Sequence, residues 1–155
     1  MATTAAAAAD TVVAAVEAAA PTADTAAFRA GTNNGRTAVS ARAARLDLYG
    51  CPPELLSDPS SLQRALEHAA HLANATILFS HFHHFGEGGG VTGVLLLAES
   101  HISIHTWVEH RFAAVDIFLC GQKNPQTAAQ FLQQALHAEH AVWHCRARGT
   151  HITVS

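Results

Sequence analysis

Four strand-like segments with very short connections limit the possible folds of this chain more than any other feature. They cover residues 75–85, 91–98, 101–108 and 112–120, and each is rich in β-branched and aromatic residues. At most five residues separate two neighbouring segments. Because a parallel pair of strands needs a crossover of about a dozen residues or more, consecutive strands here must pair antiparallel.

Two helices and further strands complete the predicted fold. Apolar residues recur at helical spacing in two regions, the second of which runs from Gln126 to His137. They are Leu62, Ala65, Leu66, Ala69, Leu72 and Ala73 in the first region, and Ala128, Leu132, Ala135 and Leu136 in the second. A strand is predicted at 45–50, and the chain ends in one or two short strands broken at Gly149.

These elements predict an α+β fold, a two-layer sandwich of a mainly antiparallel sheet with two helices on one face. The other face of such a sheet needs a partner or stays wet, so we predict a dimer that forms a larger sandwich. Residues 1–42 are rich in Ala and Thr but lack a large apolar stripe, and we expect a disordered tail. Residues 43–155 are the predicted folded domain.

The composition argues against several classes of partner and location. The net charge is −3, and the nine Lys and Arg residues are scattered, so no basic stripe could follow a nucleic-acid backbone. The sequence has no run of about 18 apolar residues, the length that could span a membrane. The N-terminus lacks the basic start of a secretory signal. The three cysteines have no CxxC spacing, which suits a reducing compartment. We therefore expect a cytoplasmic protein with no nucleic-acid or membrane partner.

The segment LAESHISIHTW, residues 97–107, carries the candidate site. In a regular strand one face would hold His101, Ser103, His105 and Trp107. Ser100 would then face away from His105, so Glu99 and Ser100 must lie in a bend if the serine and this histidine cooperate. The predicted hairpin supplies a bend, and Cys120 ends the next strand, where sites are often built.

Residue spacing alone leaves several interpretations open. A serine five residues before a histidine is common by chance, and a buried cysteine is usually an inert apolar residue. His81, His83 and His84 could bind a metal together with His101, since imidazoles at alternating strand positions can converge. No known ligand spacing is present, however, and surface histidines are more common.

A longer match resolves part of this ambiguity. The sequence ESHISIHTWVEHRFAAVDIFLCG, residues 99–121, resembles the signature of the prokaryotic S-adenosylmethionine decarboxylases, a pyruvoyl-dependent, self-cleaving family. The resemblance includes LDLYGCPPELL at 46–56, HFHHF and GVTGVLLLA, and it covers about 46–155. The Glu-Ser-His start, the His-Thr-Trp step and the final Cys-Gly are jointly very specific.

The resemblance implies self-cleavage between Glu99 and Ser100. The Ser100 hydroxyl attacks the carbonyl of Glu99, and elimination then turns Ser100 into a covalent pyruvoyl group, the cofactor. His105 matches the proton acceptor of this processing step, and Thr92 matches a hydroxyl residue that supports it. No metal is implied.

The resemblance also implies how the cleaved protein acts on S-adenosylmethionine. The pyruvoyl group forms a Schiff base with the substrate amine, and Cys120 matches the proton donor in decarboxylation. Glu109 matches a residue that binds the ribose, whereas Trp107 and Phe85 match positions that stack on the adenine. The product is the aminopropyl donor for spermidine synthesis, and the family works as a homodimer of cleaved protomers.

Departures from the family pattern keep two alternatives open. The chain has Val108 where the family has proline, and His110-Arg111-Phe112 where it has Tyr-Gly-Tyr. The loop GEGGG, residues 86–90, is one residue longer than usual. Because these changes lie beside substrate-binding positions, Arg111 could mark a pyruvoyl decarboxylase of ornithine or arginine. The second alternative is an uncleaved regulatory homologue.

Overall fold

The computed structural model describes residues 40–149. A single mixed domain is formed from six strands, three α-helices and one 3₁₀ turn at Val108–His110. In chain order the strands and α-helices are β1 Ala41–Tyr49, α1 Pro53–Leu56, α2 Pro59–Leu72, β2 Ile77–His84, β3 Val91–Leu97, β4 Ser100–Trp107, β5 Phe112–Cys120, α3 Pro125–Ala135 and β6 His140–Arg148. The predicted order of strands and long helices is confirmed, whereas the short α1 was not predicted.

The six strands form one sheet in the order β2-β3-β4-β5-β1-β6. Every neighbouring pair is antiparallel, and for β2–β3, β3–β4 and β4–β5 the short connections required it. The first strand, β1, lies between β5 and β6, so the N-terminal and C-terminal parts of the domain are interleaved within the sheet. The predicted α+β class with a mainly antiparallel sheet is confirmed.

Both long helices begin with a side-chain cap followed by proline. The Asp58 carboxylate accepts hydrogen bonds from the backbone N–H groups of Ser60 and Ser61, and Asn124 accepts one from Gln126. Such caps satisfy donors that have no partner in the first helical turn. The proline that follows each cap needs no donor there, so the sequence locally favours a helix start at both places.

One face of the sheet is buried under α2 and α3. The buried strand residues on this face include Ala44, Leu46, Leu48, Val91, Leu95, Leu97, Ile102, Ile104, Ala113, Val115, Ile117 and Leu119. The opposite face, which we call the open face, carries the alternate residues. On it Phe79, Leu96 and Trp107 are 57%, 49% and 40% exposed. Phe79 and Leu96 are paired across β2 and β3, and contiguous exposed apolar surface commonly marks an interaction surface.

The boundary at the N-terminal end of the domain differs from the prediction. Strand β1 begins at Ala41, so residues 41 and 42 belong to the sheet and not to the tail. Ala41 pairs with Cys120, and Arg42 with Leu119. Backbone pairing of this kind does not require an apolar alternation, and the sequence pattern therefore placed the strand start too late. Residues 1–39 of the predicted tail and the predicted strand at 151–155 lie outside the described residues.

Candidate active site

Glu99 and Ser100 lie in a tight turn, as the sequence predicted. Strands β3 and β4 are joined through Ala98 and Glu99, and Leu97 pairs with Ser100 across the turn. Ser100 has a backbone φ of 149°, which residues with a side chain rarely adopt. Such a backbone costs about 1–3 kcal/mol and persists only where the surroundings enforce it. The Glu99–Ser100 peptide bond is therefore adjacent to local strain.

Contacts from three other segments hold Glu99. Its carbonyl oxygen accepts a hydrogen bond from the backbone N–H of Cys120 at 2.9 Å. Its side chain accepts one from the backbone N–H of Thr76 at 2.8 Å and a second from the Thr76 hydroxyl at 3.3 Å. The Lys123 ammonium lies 3.3 Å from the same carboxylate. The Thr76 N–H, with Lys123 contributing, holds the pKa of the Glu99 carboxyl below its usual value, so it is ionised at neutral pH.

The imidazole in contact with the Ser100 hydroxyl belongs to His101. Ser100 Oγ lies 3.3 Å from His101 Nδ1. The sequence interpretation gave His101 no role except as a metal ligand, because neighbouring residues of a regular strand point to opposite faces. The contact coincides with the unusual backbone at Ser100.

His105 lies beside Thr92, not beside Ser100 of its own chain. Thr92 and His105 are directly opposite each other on β3 and β4, and Oγ1 and Nδ1 are 2.7 Å apart. At about 3.3 Å per residue, five residues of extended strand separate His105 from Ser100 by roughly 16 Å. The turn predicted from the sequence is present, but it does not bring this serine and this histidine together. Within one protomer the two side chains stay apart, because the bend lies at the end of a straight strand.

Three predicted substrate-binding residues and His105 line one cavity of about 600 Å³. The lining residues are Phe85, Glu87, Gly88, Gly89, Gly90, Val91, His105, Thr106, Trp107 and Glu109. Phe85 is 64% exposed and Trp107 is 40% exposed, so neither ring belongs to the core. The cavity thus offers aromatic surfaces, a carboxylate and an imidazole within one space.

A buried threonine and a glycine shape the wall of this cavity. The Thr106 hydroxyl donates to the Leu56 carbonyl and accepts from the Val91 N–H, both at 2.7 Å. A Cβ atom on Gly90 would lie 2.0 Å from the Thr106 carbonyl oxygen. Only glycine therefore fits where the GEGGG loop enters β3.

Cys120 is exposed at the end of β5 and is not an inert core residue. Its backbone N–H contacts Glu99, so the thiol and the strained turn lie at the same end of the sheet. Cys51 differs in every respect. It is fully buried, and burial raises the pKa of its thiol to about 11 despite the nearby Arg111.

Arg111 cross-links two loops and the turn after β4. Its Nη2 donates to the Gly50 carbonyl at 2.7 Å and to the Glu139 carboxylate at 2.9 Å, and its Nε donates to the Cys51 carbonyl at 3.3 Å. Arg111 also has a φ of 51°, the left-handed conformation that glycine adopts most readily. These contacts engage the guanidinium within the protein.

The histidines on β2 do not converge. His81 and His83 lie on the open face, opposite Val94 and Thr92 of β3, whereas His84 is on the other side of the strand. Within residues 40–149, no group of three or more His, Cys, Asp or Glu side chains is arranged to hold a metal ion. None of the described helices is long and apolar enough to cross a membrane.

Comparisons with known proteins agree on one relationship. A sequence model of the family described as S-adenosylmethionine decarboxylase matches residues 42–149. The chain is 45% identical over 95 residues to the S-adenosylmethionine decarboxylase proenzyme of Thermodesulfovibrio yellowstonii. The aligned region spans 61% of this chain and 70% of that protein. It is 42% identical over 108 residues to the proenzyme of Pyrobaculum arsenaticum, spanning 69% of this chain and 86% of that protein.

A solved structure shows the same similarity in three dimensions. The crystal structure of the adenosylmethionine decarboxylase from Aquifex aeolicus matches with a TM-score of 0.67 and 34% sequence identity. The match covers 73% of this chain and 93% of that one. The similarity therefore includes nearly the whole of that fold.

Proposed function

The chain belongs to the S-adenosylmethionine decarboxylase family, and from that premise we propose that it cuts itself between Glu99 and Ser100 and then decarboxylates S-adenosylmethionine. The observation that carries this proposal is the strained turn at Ser100, whose preceding carbonyl accepts a hydrogen bond from Cys120 N–H. The product serves as an aminopropyl donor for polyamine synthesis. Three free thiols support a cytoplasmic location.

The geometry of the turn suits an attack of Ser100 on Glu99. The serine oxygen bonds to the Glu99 carbonyl carbon, the peptide C–N bond breaks, and an ester replaces the amide. The Cys120 N–H stabilises negative charge that develops on the carbonyl oxygen, as in other acyl transfers. Release of the strain at Ser100 favours breaking this bond over its neighbours.

The later steps convert Ser100 into the cofactor. A base removes the Cα proton of Ser100. Elimination then releases the main-chain carboxylate of Glu99, the new end of the first chain, and leaves a dehydroalanine at position 100. Uptake of water and loss of ammonia then leave a pyruvoyl group at the start of the second chain. His105 is the proposed base, and its contact with Thr92 fixes the orientation of its ring.

A second copy of the chain must supply His105. Within one protomer His105 is roughly 16 Å from Ser100 along β4, too far for proton transfer. If two open faces pack about a two-fold axis that crosses the strands, the Ser100 end of one β4 lies over the His105 end of the other. The exposed Phe79, Leu96 and Trp107 on this face support such a homodimer.

The same packing would complete the substrate site. The cavity that holds Phe85, Trp107 and Glu109 lies at the His105 end of β4, so it faces the pyruvoyl group of the partner. The aromatic rings stack on the adenine, and the Glu109 carboxylate accepts hydrogen bonds from the ribose hydroxyls. Each site in the dimer then contains groups from both protomers.

The pyruvoyl group supplies an electron-withdrawing carbonyl that draws electrons from the substrate as carbon dioxide leaves. Cys120 ends β5 beside the Glu99–Ser100 turn and is exposed, so its thiol can return a proton to the substrate carbon. No observation favours a basic amino acid as the substrate. Arg111 is engaged by Gly50, Cys51 and Glu139 and does not reach into the cavity lining.

Intact-mass spectrometry of the purified protein tests the proposal. We expect two chains, one ending at Glu99 and the other beginning with a pyruvoyl group, and a single uncut chain for Ser100→Ala. The purified protein should release carbon dioxide from S-adenosylmethionine and not from ornithine or arginine. An uncut wild-type chain without activity would refute the proposal and favour a regulatory homologue.

Coexpression of two inactive variants tests the shared site. Neither Ser100→Ala nor His105→Ala alone should be cleaved. In a mixed dimer the Ser100→Ala chain still supplies His105 to the intact Ser100 of the other chain. We therefore expect cleavage of the His105→Ala chain only when both are coexpressed with distinguishable tags. Cleavage of His105→Ala by itself, or no cleavage in the mixture, would contradict a site shared between protomers.

A further inference from the structure

We propose that Lys123 is a positioning residue for self-cleavage, acting with Thr76 to hold the Glu99 side chain. This inference rests on the proposed function, because it assigns these residues to the cleavage step. Neither residue carries a role in the mechanism described so far. Lys123 is the only lysine of the chain, which makes its contribution accessible to chemical labelling.

Three loops meet around the Glu99 carboxylate. Thr76 belongs to the loop between α2 and β2, Glu99 to the turn between β3 and β4, and Lys123 to the loop between β5 and α3. Thr76 contacts one carboxylate oxygen through its N–H at 2.8 Å, while Lys123 contacts the other at 3.3 Å. Lys123 also donates to the carbonyl of Asn74 in the first loop. The carboxylate is thus fixed from two sides.

The ion pair is shielded from water. The Lys123 and Glu99 side chains are only 23% and 19% exposed. A half-buried charge pair is screened less than one at the surface, so it adds to the restraint that the Thr76 and Cys120 hydrogen bonds place on the turn. Removing either member of this ion pair would leave the other charge without its partner at a site with little access to water, which is unfavourable.

The restraint acts directly on the reacting bond. Glu99 supplies the carbonyl carbon that Ser100 attacks, and Ser100 holds its unfavourable φ only while the turn is fixed. With the carboxylate released, the two-residue turn can relax toward ordinary backbone angles. The hydroxyl then leaves its position for attack, and the carbonyl leaves the Cys120 N–H. Correct orientation of this kind accounts for a large part of many rate enhancements.

A time course of cleavage during cell-free synthesis tests the role of Lys123. Lys123→Met should slow cleavage about tenfold, a modest part of what orientation can contribute, and Lys123→Arg should recover most of the rate. The matched control is Gln122→Met, an exposed neighbouring position, which should cleave like wild type. Once cleaved, the Lys123→Met enzyme should have the wild-type kcat and KM per pyruvoyl group, because its role ends with cleavage.

A second readout does not depend on cleavage. In a Ser100→Ala chain, an amine-specific reagent should modify Lys123 slowly, and Glu99→Gln should speed this reaction by removing the anionic partner. Equal labelling rates with and without Glu99→Gln would overturn the proposed restraint of Glu99 by Lys123, even if Lys123→Met failed to fold.

The remaining outcomes separate this inference from the proposed function. Wild-type cleavage with an unchanged rate in Lys123→Met would overturn the role of Lys123 and leave the proposed function intact. A lower kcat in the cleaved Lys123→Met enzyme would also overturn it, since a residue confined to processing has no such effect. Failure of the wild type to cleave would refute the proposed function itself.

Discussion

The two ends of strand β4 differ in how firmly they are held. At the Ser100 end, a two-residue turn is fixed by hydrogen bonds from Thr76 and Cys120 and by the Lys123 ion pair. At the Trp107 end, the strand opens into a cavity of about 600 Å³ walled partly by glycines. One strand thus joins a restrained peptide bond to an open binding surface.

This difference matches two different physical requirements. Breaking a peptide bond needs exact placement of two atoms, and many short contacts provide it. Binding a flat ring and a sugar needs area and a few oriented polar groups, which an open cavity with aromatic walls provides. Apart from His105, which lines the cavity but is proposed to act in cleavage, substitutions at the two ends should therefore separate cleavage and catalysis from affinity.

The largest expected effect is that of Cys120→Ala on catalysis. Loss of a general acid typically lowers a rate by about 10²–10⁴-fold. Because the backbone N–H that contacts Glu99 remains, cleavage should still occur. The measurements are intact mass and kcat with S-adenosylmethionine. Cys145→Ala, at a thiol on β6, is the control and should keep wild-type activity; an active Cys120→Ala enzyme would contradict the assignment.

Gly90→Ala should damage the binding end and spare the cleavage end. The new Cβ would meet the Thr106 carbonyl oxygen at 2.0 Å, so the loop and β4 must separate. Because the clash is with backbone and not with a flexible side chain, the cost should lie at or above the top of the about 1–3 kcal/mol typical of overpacking, and the KM should rise. Gly88→Ala is the control because a Cβ there meets nothing within 4 Å.

The control variant should lose only about 1–2 kcal/mol through its positive φ. Denaturant unfolding of both variants in a Ser100→Ala chain measures the difference. A Gly90→Ala chain as stable as Gly88→Ala would show that the cavity wall adapts, and the contrast between the two ends of β4 would weaken.

Arg111→Gly should have a smaller effect, again confined to the binding end. Glycine accepts the φ of 51° without strain, but the contacts to Gly50, Cys51 and Glu139 are lost. Exposed ion pairs are worth about 0–1 kcal/mol, so a severalfold rise in KM at nearly unchanged kcat is expected. A steady-state assay with S-adenosylmethionine measures it. Wild-type activity on a basic amino acid that Arg111→Gly abolishes would instead revive the alternative substrate.

The smallest effect concerns the buried Cys51 thiol and alkaline pH. Its pKa is raised in the folded state from the usual 9.0 to about 11, so folding favours the protonated thiol. This stabilisation is complete below pH 9 and should fade as the pH rises toward 11. Thermal unfolding of wild type and Cys51→Ala between pH 8 and 11 should show a steeper decline for wild type; parallel curves would contradict the shift.

The sequence predicted the faces of β4 correctly because alternation is a local property. Ile102 and Ile104 face the core, and His105 and Trp107 face away, as period-two spacing requires. The antiparallel order of β2 to β5 followed from loop length, and both long helices followed from apolar residues at helical spacing. These features depend on residues close together in the chain.

The details of the candidate site depend on residues far apart in the chain. Thr76 and Lys123 lie 23 and 24 positions from Glu99, and no local pattern joins them. The contact between Ser100 and His101 coincides with one unusual φ angle. The bend at Glu99 and Ser100 was predicted, but the length of extended strand between Ser100 and His105 keeps these two side chains apart within one protomer.

The position of β1 in the sheet has a consequence for the life of the protein. A cut after Glu99 would leave β1–β3 on one chain and β4–β6 on the other, with β1 inserted between β5 and β6. A strand of the first product would lie between two strands of the second, so the two products could separate only if the sheet unfolded. The uncut chain, in contrast, assembles this sheet with every strand covalently tethered. Cleavage would therefore make folding irreversible. The protein folds as one chain and acts as two, and after unfolding the two chains lack the covalent connection that allowed the sheet to form.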